Sequence, residues 1–107
     1  MRAAVYHGNN KVGIEDVPEP TVTGGHVKIK VGRNGICGAD LHECYDGPIF
    51  IPPAAPHLLI GKAMPVILGH EFSGTTTQVG PGVDNLHEGD RVTIEPIYRG
   101  GQCRPCR

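Results

Sequence analysis

The sequence predicts a small, mostly β domain: an antiparallel barrel or sandwich with many tight turns. Its 107 residues include 16 glycines and 10 prolines, about twice the usual share of each. These residues lie between short apolar runs, some of which alternate apolar and polar side chains as strands with one solvated face do. No stretch has the length and periodicity of a long amphipathic helix. We therefore expect short strands, long loops and short helical turns.

The first third of the chain predicts a hairpin followed by a third strand. Residues 2–7 and 11–17 form the expected hairpin, and residues 8–10 (Gly-Asn-Asn) form its turn because Gly and Asn tolerate positive φ. The Pro-Glu-Pro segment at 18–20 ends this pair. Residues 26–33 alternate well and predict a strand with one wet face. The side chains expected on its apolar face are Val27, Ile29 and Val31.

The rest of the chain predicts a short helix, a long loop and two more strands. Residues 40–45 can form one or two helical turns. Residues 46–65 contain five prolines and predict an irregular loop, and a loop of this length is usually functional or disordered. Its apolar residues favour a lid or a contact surface. The run at 66–68 leads into a Gly-His-Glu segment, and residues 72–79 and 90–95 predict strands.

Charge and composition exclude several classes of function. Ten Lys and Arg residues stand against eleven Asp and Glu residues, giving a net charge of −1, and no basic stripe predicts a nucleic-acid partner. No apolar run approaches the ~18 residues of a membrane span, and the N-terminus predicts a strand instead of a signal peptide. We expect a cytoplasmic protein, so its four cysteines should be reduced thiols or metal ligands and not disulfides. They are Cys37, Cys44, Cys103 and Cys106.

Two Gly-rich segments carry the candidate chemistry: GICGADLH at residues 35–42 and GHEFSG at residues 69–74. Through Cys37, His70 and Glu71 they offer a thiolate, an imidazole and a carboxylate, which are the side-chain types that bind zinc. On spacing alone, a packed cysteine and an unrelated histidine explain the pattern equally well.

Together with GVDNLHEGDRV at residues 82–92, these motifs closely resemble the N-terminal part of zinc-dependent medium-chain alcohol and polyol dehydrogenases. The GPIFIPP segment at 47–53 looks most like the 2,3-butanediol (acetoin) dehydrogenase branch. The resemblance covers essentially the whole chain. It implies a GroES-like, partly open antiparallel β-barrel and oxidation of a secondary alcohol or vicinal diol to a ketone, with zinc and NAD(P).

The resemblance also assigns roles to individual positions. Cys37 and His70 match the first two catalytic zinc ligands. Glu71 matches an acid that binds the metal directly or replaces a ligand transiently, and Asp40 matches the carboxylate that orients the ligating histidine. His42 stands where many relatives place a proton-relay histidine; a solvated histidine on a short helix remains the alternative.

Two departures from the family pattern limit what the resemblance implies. Ala39 stands where many relatives have Ser or Thr, whose hydroxyl begins the proton relay, so a relay would need water or a ribose hydroxyl. Cys103 and Cys106 resemble half of the family's four-cysteine structural zinc site, with Gly100 in the place of the first cysteine. Two thiolates do not close a tetrahedral cage. A redox pair and a pair of inert thiols also remain open.

The dinucleotide-binding domain of the family is expected to lie outside this chain. No Gly-x-Gly-x-x-Gly segment follows a predicted strand in residues 1–107. The resemblance therefore implies a GroES-like catalytic-domain fragment that is inactive alone, with NAD(P) binding and homo-oligomer formation belonging to a longer parent. A non-enzymatic zinc-binding or GroES-like interaction module is the rival interpretation.

Overall fold

The structure, a computed structural model, describes residues 1–58, 60–97 and 101. The described part contains six strands and one helix, which confirms the prediction of a mostly β fold. In chain order they are β1 (Arg2–Gly8), β2 (Lys11–Asp16), β3 (Val27–Asn34), α1 (Gly38–Asp46), β4 (Val66–Ile67), β5 (Phe72–Val79) and β6 (Arg91–Thr93).

The strands form two small antiparallel sheets. One has the order β2-β1-β4 and the other has the order β3-β5-β6, and every strand pair is antiparallel. The sheets do not join into a closed barrel within the described ranges, so the partly open antiparallel arrangement is confirmed. The segment between α1 and β4 contains no strand or helix among its described residues, as its prolines predict.

The β1–β2 hairpin turns where the sequence predicts and docks on the end of α1. Gly8 and Asn10 have φ values of 132° and 54°, which Gly and Asn tolerate better than other residues. The backbone N–H of Asn10 donates to the Cys44 carbonyl at 2.7 Å, and Asn9 Nδ2 donates to the Tyr45 carbonyl at 2.7 Å. The turn therefore satisfies carbonyls that a helix C-terminus leaves without intrahelical partners.

Tyr6 lies in the core and joins the hairpin to α1 a second time. Its side chain is fully buried, and its hydroxyl donates to the Glu43 carbonyl at 2.8 Å. Burial raises the pKa of Tyr6, and the negative charge of the Glu43 carboxylate raises it further. The phenol therefore stays protonated and remains a hydrogen-bond donor.

The face of β3 that was expected to be apolar and covered is covered over only part of its length. Val27 and Ile29 are half-buried, but Val31 is 53% exposed, so the prediction was wrong for Val31. In the register, Val31 pairs with Gly74 of β5. Gly74 has no side chain that could cover its neighbour.

Gly74 is required because two strands approach each other closely. A Cβ atom at this position would clash with the Lys30 carbonyl oxygen and would lie 2.7 Å from Ile29 Cγ2. Since Lys30 presents backbone at this point, the clash could be relieved only by moving β3. The close packing of β3 and β5 therefore depends on a residue without a side chain at position 74.

Within the described residues, no helix is long and apolar enough to cross a bilayer.

Strand β2 lies at the edge of its sheet. Two of its apolar side chains, Val12 and Ile14, are 42% and 70% exposed.

We expect Gly74→Ala to lower the free energy of unfolding by about 2 kcal/mol, because the added methyl overpacks the β3–β5 contact. Gly13→Ala in β2 is the matched control, since its Cβ would meet only Glu15 Oε1 at 3.6 Å, an ordinary contact. Urea denaturation followed by circular dichroism measures both. Equal stability of the two variants would contradict the close approach.

Candidate metal centre

The first segment of the site is the turn that enters helix α1. Cys37 is the N-cap residue with extended backbone angles (φ −78°, ψ 152°), and the helix begins at Gly38. The Cys37 backbone N–H donates to Asp40 Oδ2 at 3.1 Å, as in one half of a capping box. This bond fixes the Cys37 backbone relative to the first helical turn.

The second segment is the turn between β4 and β5. Gly69 has a φ of 114°, a conformation that side-chain-bearing residues rarely adopt, and His70 and Glu71 follow before β5 begins. The Gly35 N–H donates to the Glu71 carbonyl at 2.8 Å, which ties this turn to the first segment. A Cβ on Gly35 would lie 2.9 Å from Glu71 Oε2. The Glu71 side chain could move away from such a Cβ, so the glycine that this turn needs is Gly69, because of its positive φ.

The two turns bring a sulfur, a nitrogen and an oxygen donor together. The ligand atoms of Cys37, His70 and Glu71 all lie within 4.8 Å of one another. Cys37 and His70 are half-buried, whereas Glu71 is exposed. Three of the residues selected from the sequence thus meet in one cluster, although they come from distant parts of the chain.

Asp40 contacts both ends of this cluster. Its Oδ1 lies 3.4 Å from Nδ1 of His70, and the Asp40 and His70 side chains are 14% and 36% exposed. The other carboxylate oxygen accepts the Cys37 N–H. Because Nδ1 faces the carboxylate, Nε2 of His70 is the nitrogen left for a metal ion.

His42 lies apart from these contacts. Its side chain is 74% exposed, and its Nδ1 lies 3.7 Å from Asp46 Oδ2 one turn further along α1. It does not belong to the described lining of the cavity beside His70. Its proton-relay role stays a prediction, and the other two candidates, Cys103 and Cys106, lie outside the described residues.

A cavity of about 260 Å³ adjoins the cluster. Asp40 and His70 line it, and so do Phe50, Ile51 and Ile60 from the Pro-rich loop. Its wall is thus mostly apolar, and the polar side chains of His57 and Lys62 line it in addition to Asp40 and His70. Such a cavity suits a small ligand with a hydrocarbon body and a polar group directed at the donors.

Sequence reasoning missed Glu43, whose side chain also lines this cavity. Glu43 is 3% exposed, although it lies on a short helix with exposed neighbours. The one available signal is its position three residues after Asp40, which places both on one side of α1.

Comparison with known proteins shows the family to which the chain belongs. Residues 23–107 match the family model of the alcohol dehydrogenase GroES-like domain. The chain belongs to this family. The GroES-like fold expected from the sequence is therefore confirmed.

Individual relatives in this family are similar over most of the chain. It is 52% identical over 98 residues to the (R,R)-butanediol dehydrogenase of Bacillus subtilis strain 168, covering 92% of this chain and 28% of that protein. The crystal structure of Bacillus subtilis 2R,3R-butanediol dehydrogenase aligns with a TM-score of 0.90 at 50% identity, over 92% of this chain and 28% of that one. A short chain alcohol dehydrogenase of Escherichia coli CFT073, complexed with NADH, aligns with a TM-score of 0.77 at 31% identity, over 99% and 27%. The chain thus spans little more than a quarter of the length of these relatives.

We expect Asp40→Ala to lower the free energy of unfolding by about 1 kcal/mol, because the Cys37 N–H loses its acceptor. Asp40→Asn keeps a carbonyl oxygen at that position and should retain most of the stability. Thermal and urea denaturation of the two variants test this difference. Equal losses in both would show that the cap contact is not what Asp40 supplies.

Proposed function

We propose that this chain forms the zinc-binding catalytic part of a dehydrogenase that oxidises a secondary alcohol or vicinal diol, of the 2,3-butanediol type, to a ketone with NAD(P). The observation that carries this proposal is the convergence of Cys37, His70 and Glu71 beside an apolar cavity. Membership of the alcohol dehydrogenase family and the similarity to butanediol dehydrogenases support the reaction class.

The donor set fits zinc. Zinc binds thiolate, imidazole and carboxylate ligands at about 2.0–2.3 Å, and donors within 4.8 Å of one another need only small side-chain adjustments to share one ion. Three protein ligands are typical of catalytic zinc, because they leave a coordination position for substrate. Cys37, His70 and Glu71 are the residues that would hold the ion.

When bound, zinc supplies Lewis acidity that lowers the pKa of an alcohol. The residues of this chain supply position and electrostatics. Asp40 orients the His70 ring through the contact at Nδ1, and the apolar wall of the cavity holds the hydrocarbon part of the substrate and excludes water. Hydride acceptance belongs to the nicotinamide cofactor.

The proton released from the alcohol needs a route that does not pass through residue 39. Ala39 lines the cavity, and its methyl group cannot carry a proton where relatives have a hydroxyl. We assign the relay to His42, which would receive the proton through water or a ribose hydroxyl because its side chain is exposed. Glu71 is a direct ligand in this proposal, and Cys103 and Cys106 form half of a second metal site.

We also propose that the protein works in the cytoplasm. Cys37 and Cys44 are free thiols in the structure, and a metal-binding thiolate is best preserved in a reducing compartment such as the cytoplasm. NAD(P) binding and assembly into a homo-oligomer are assigned to the longer parent by similarity to the family.

We expect the chain to bind one cobalt ion at the cluster, as a spectroscopic substitute for zinc. Cys103→Ser/Cys106→Ser serves as the background, so that Cys37 and Cys44 are the two thiols left to give thiolate-to-cobalt absorption. Cys37→Ser should abolish that absorption, and His70→Ala or Glu71→Gln should weaken binding at least tenfold, because a truncated ligand set loses metal affinity. Cys44→Ser, His87→Ala and Glu88→Gln are the matched controls. Cobalt bound equally well by all variants would refute the site.

We expect residues 1–107 with zinc, NAD⁺ and 2,3-butanediol to produce no NADH absorbance at 340 nm. The sequence contains no dinucleotide-binding fingerprint, and the chain spans only 28% of the matched butanediol dehydrogenase. The Bacillus subtilis enzyme is the positive control. Sustained turnover by the 107-residue chain would show that cofactor binding needs no further domain.

A further inference from the structure

The Glu43 carboxylate is buried and accepts three hydrogen bonds from one segment of the Pro-rich loop. Its Oε1 accepts the backbone N–H of Ile49 at 2.9 Å and of Ile51 at 3.2 Å, and its Oε2 accepts the N–H of Phe50 at 2.8 Å. Taking a carboxylate out of water is costly unless such donors replace its hydration. Hydrogen bonds to a charged acceptor are also stronger than neutral ones. Glu43 therefore binds residues 49–51 to helix α1.

Hydrophobic burial contributes little at two of the three residues of this segment. Ile49 and Phe50 are 51% and 74% exposed, so they gain little from removing apolar surface from water, whereas Ile51 is half-buried. The three N–H groups, by contrast, are all directed at a single side chain. The position of the segment is consequently set by Glu43.

Glu43 is itself fixed from the other side. Its backbone carbonyl accepts the Tyr6 hydroxyl at 2.8 Å and the Gly47 N–H at 3.1 Å. It follows Asp40 by one helical turn, and both side chains line the cavity, as do Phe50 and Ile51. One short helix thus carries the residue that contacts His70 and the residue that binds the loop segment of the cavity wall.

We propose that Glu43 is a positioning residue that holds Phe50 and Ile51 as the apolar wall of the substrate cavity. This wall favours alcohols with a longer hydrocarbon body over ethanol. The inference rests on the proposed function for the identity of the ligand, but the hydrogen bonding of the loop is independent of it.

Glu43→Gln is the informative substitution because it keeps the shape and removes the charge and one acceptor. The amide nitrogen of glutamine donates and cannot accept. If the amide nitrogen takes the place of Oε2, the N–H of Phe50 loses its acceptor. If it takes the place of Oε1, the N–H groups of Ile49 and Ile51 lose theirs. Glu88→Gln is the matched control, because Glu88 is exposed and lies in the loop between β5 and β6.

The first measurement is amide hydrogen exchange by NMR on the full 107-residue chain, without metal. Glu43→Gln should accelerate exchange at Ile49, Phe50 and Ile51 by about tenfold or more, because charge-assisted bonds to those amides are lost. Amides of the β3–β5 pair should exchange as in the wild type, which shows that the variant is folded. Unchanged exchange at residues 49–51 in a folded variant would overturn the proposal.

The second measurement compares two alcohols on the cobalt-loaded chain, using the shift of the cobalt visible spectrum. Glu43→Gln should weaken the apparent affinity for (2R,3R)-butane-2,3-diol about tenfold, with the affinities for ethanol and for cobalt unchanged within twofold. A merely structural role would weaken both alcohols and cobalt together, and that result would overturn the proposal. So would an unchanged preference for the diol over ethanol.

Phe50→Ala provides a test that leaves the buried carboxylate intact. Phe50 is 74% exposed, so this variant should fold, and it should show the same selective loss of diol affinity without faster exchange at residues 49–51. Equal diol affinity in Phe50→Ala and the wild type would overturn the wall assignment. If the wild-type chain takes up no cobalt, the proposed function fails, and the exchange rates alone then decide whether Glu43 holds the loop.

Discussion

Two carboxylates on successive turns of α1 accept backbone N–H groups from outside the helix, and the site depends on these contacts. Asp40 accepts the N–H of Cys37 and lies 3.4 Å from the His70 ring. Glu43 accepts the N–H groups of three consecutive loop residues. A nine-residue helix is marginal on its own. Here its side chains organise the donor cluster and the cavity wall together.

The local features of the fold could be predicted because the chain marks them with residues that have few alternatives. Gly8 and Asn10 carry the positive φ values of the hairpin turn, and the strand Phe72–Val79 has the predicted bounds and ends at the Gly-Pro-Gly turn of residues 80–82. The cluster of Cys37, His70 and Glu71 required the family resemblance in addition. Spacing alone does not tell which distant turns meet.

Other features depend on tertiary contacts that no local pattern contains. Val31 has the alternation of a covered strand residue but pairs with Gly74, so its exposure follows from a partner more than forty positions away in the sequence. Glu43 has the local pattern of a solvated helical acid. Its carboxylate is covered by the loop that binds it, and Tyr6 contacts its backbone carbonyl. Both effects become visible only when the elements are packed.

The aliphatic side chains on β2 have a consequence for handling the polypeptide. Val12 and Ile14 protrude from the outermost strand of their sheet, next to backbone groups on its unpaired border. Such a border is a template onto which a second copy can add its own strand. At high concentration two copies of the chain would therefore associate through this hairpin. Ile14→Lys would weaken that association, because a charged side chain on an edge strand opposes the addition of another strand.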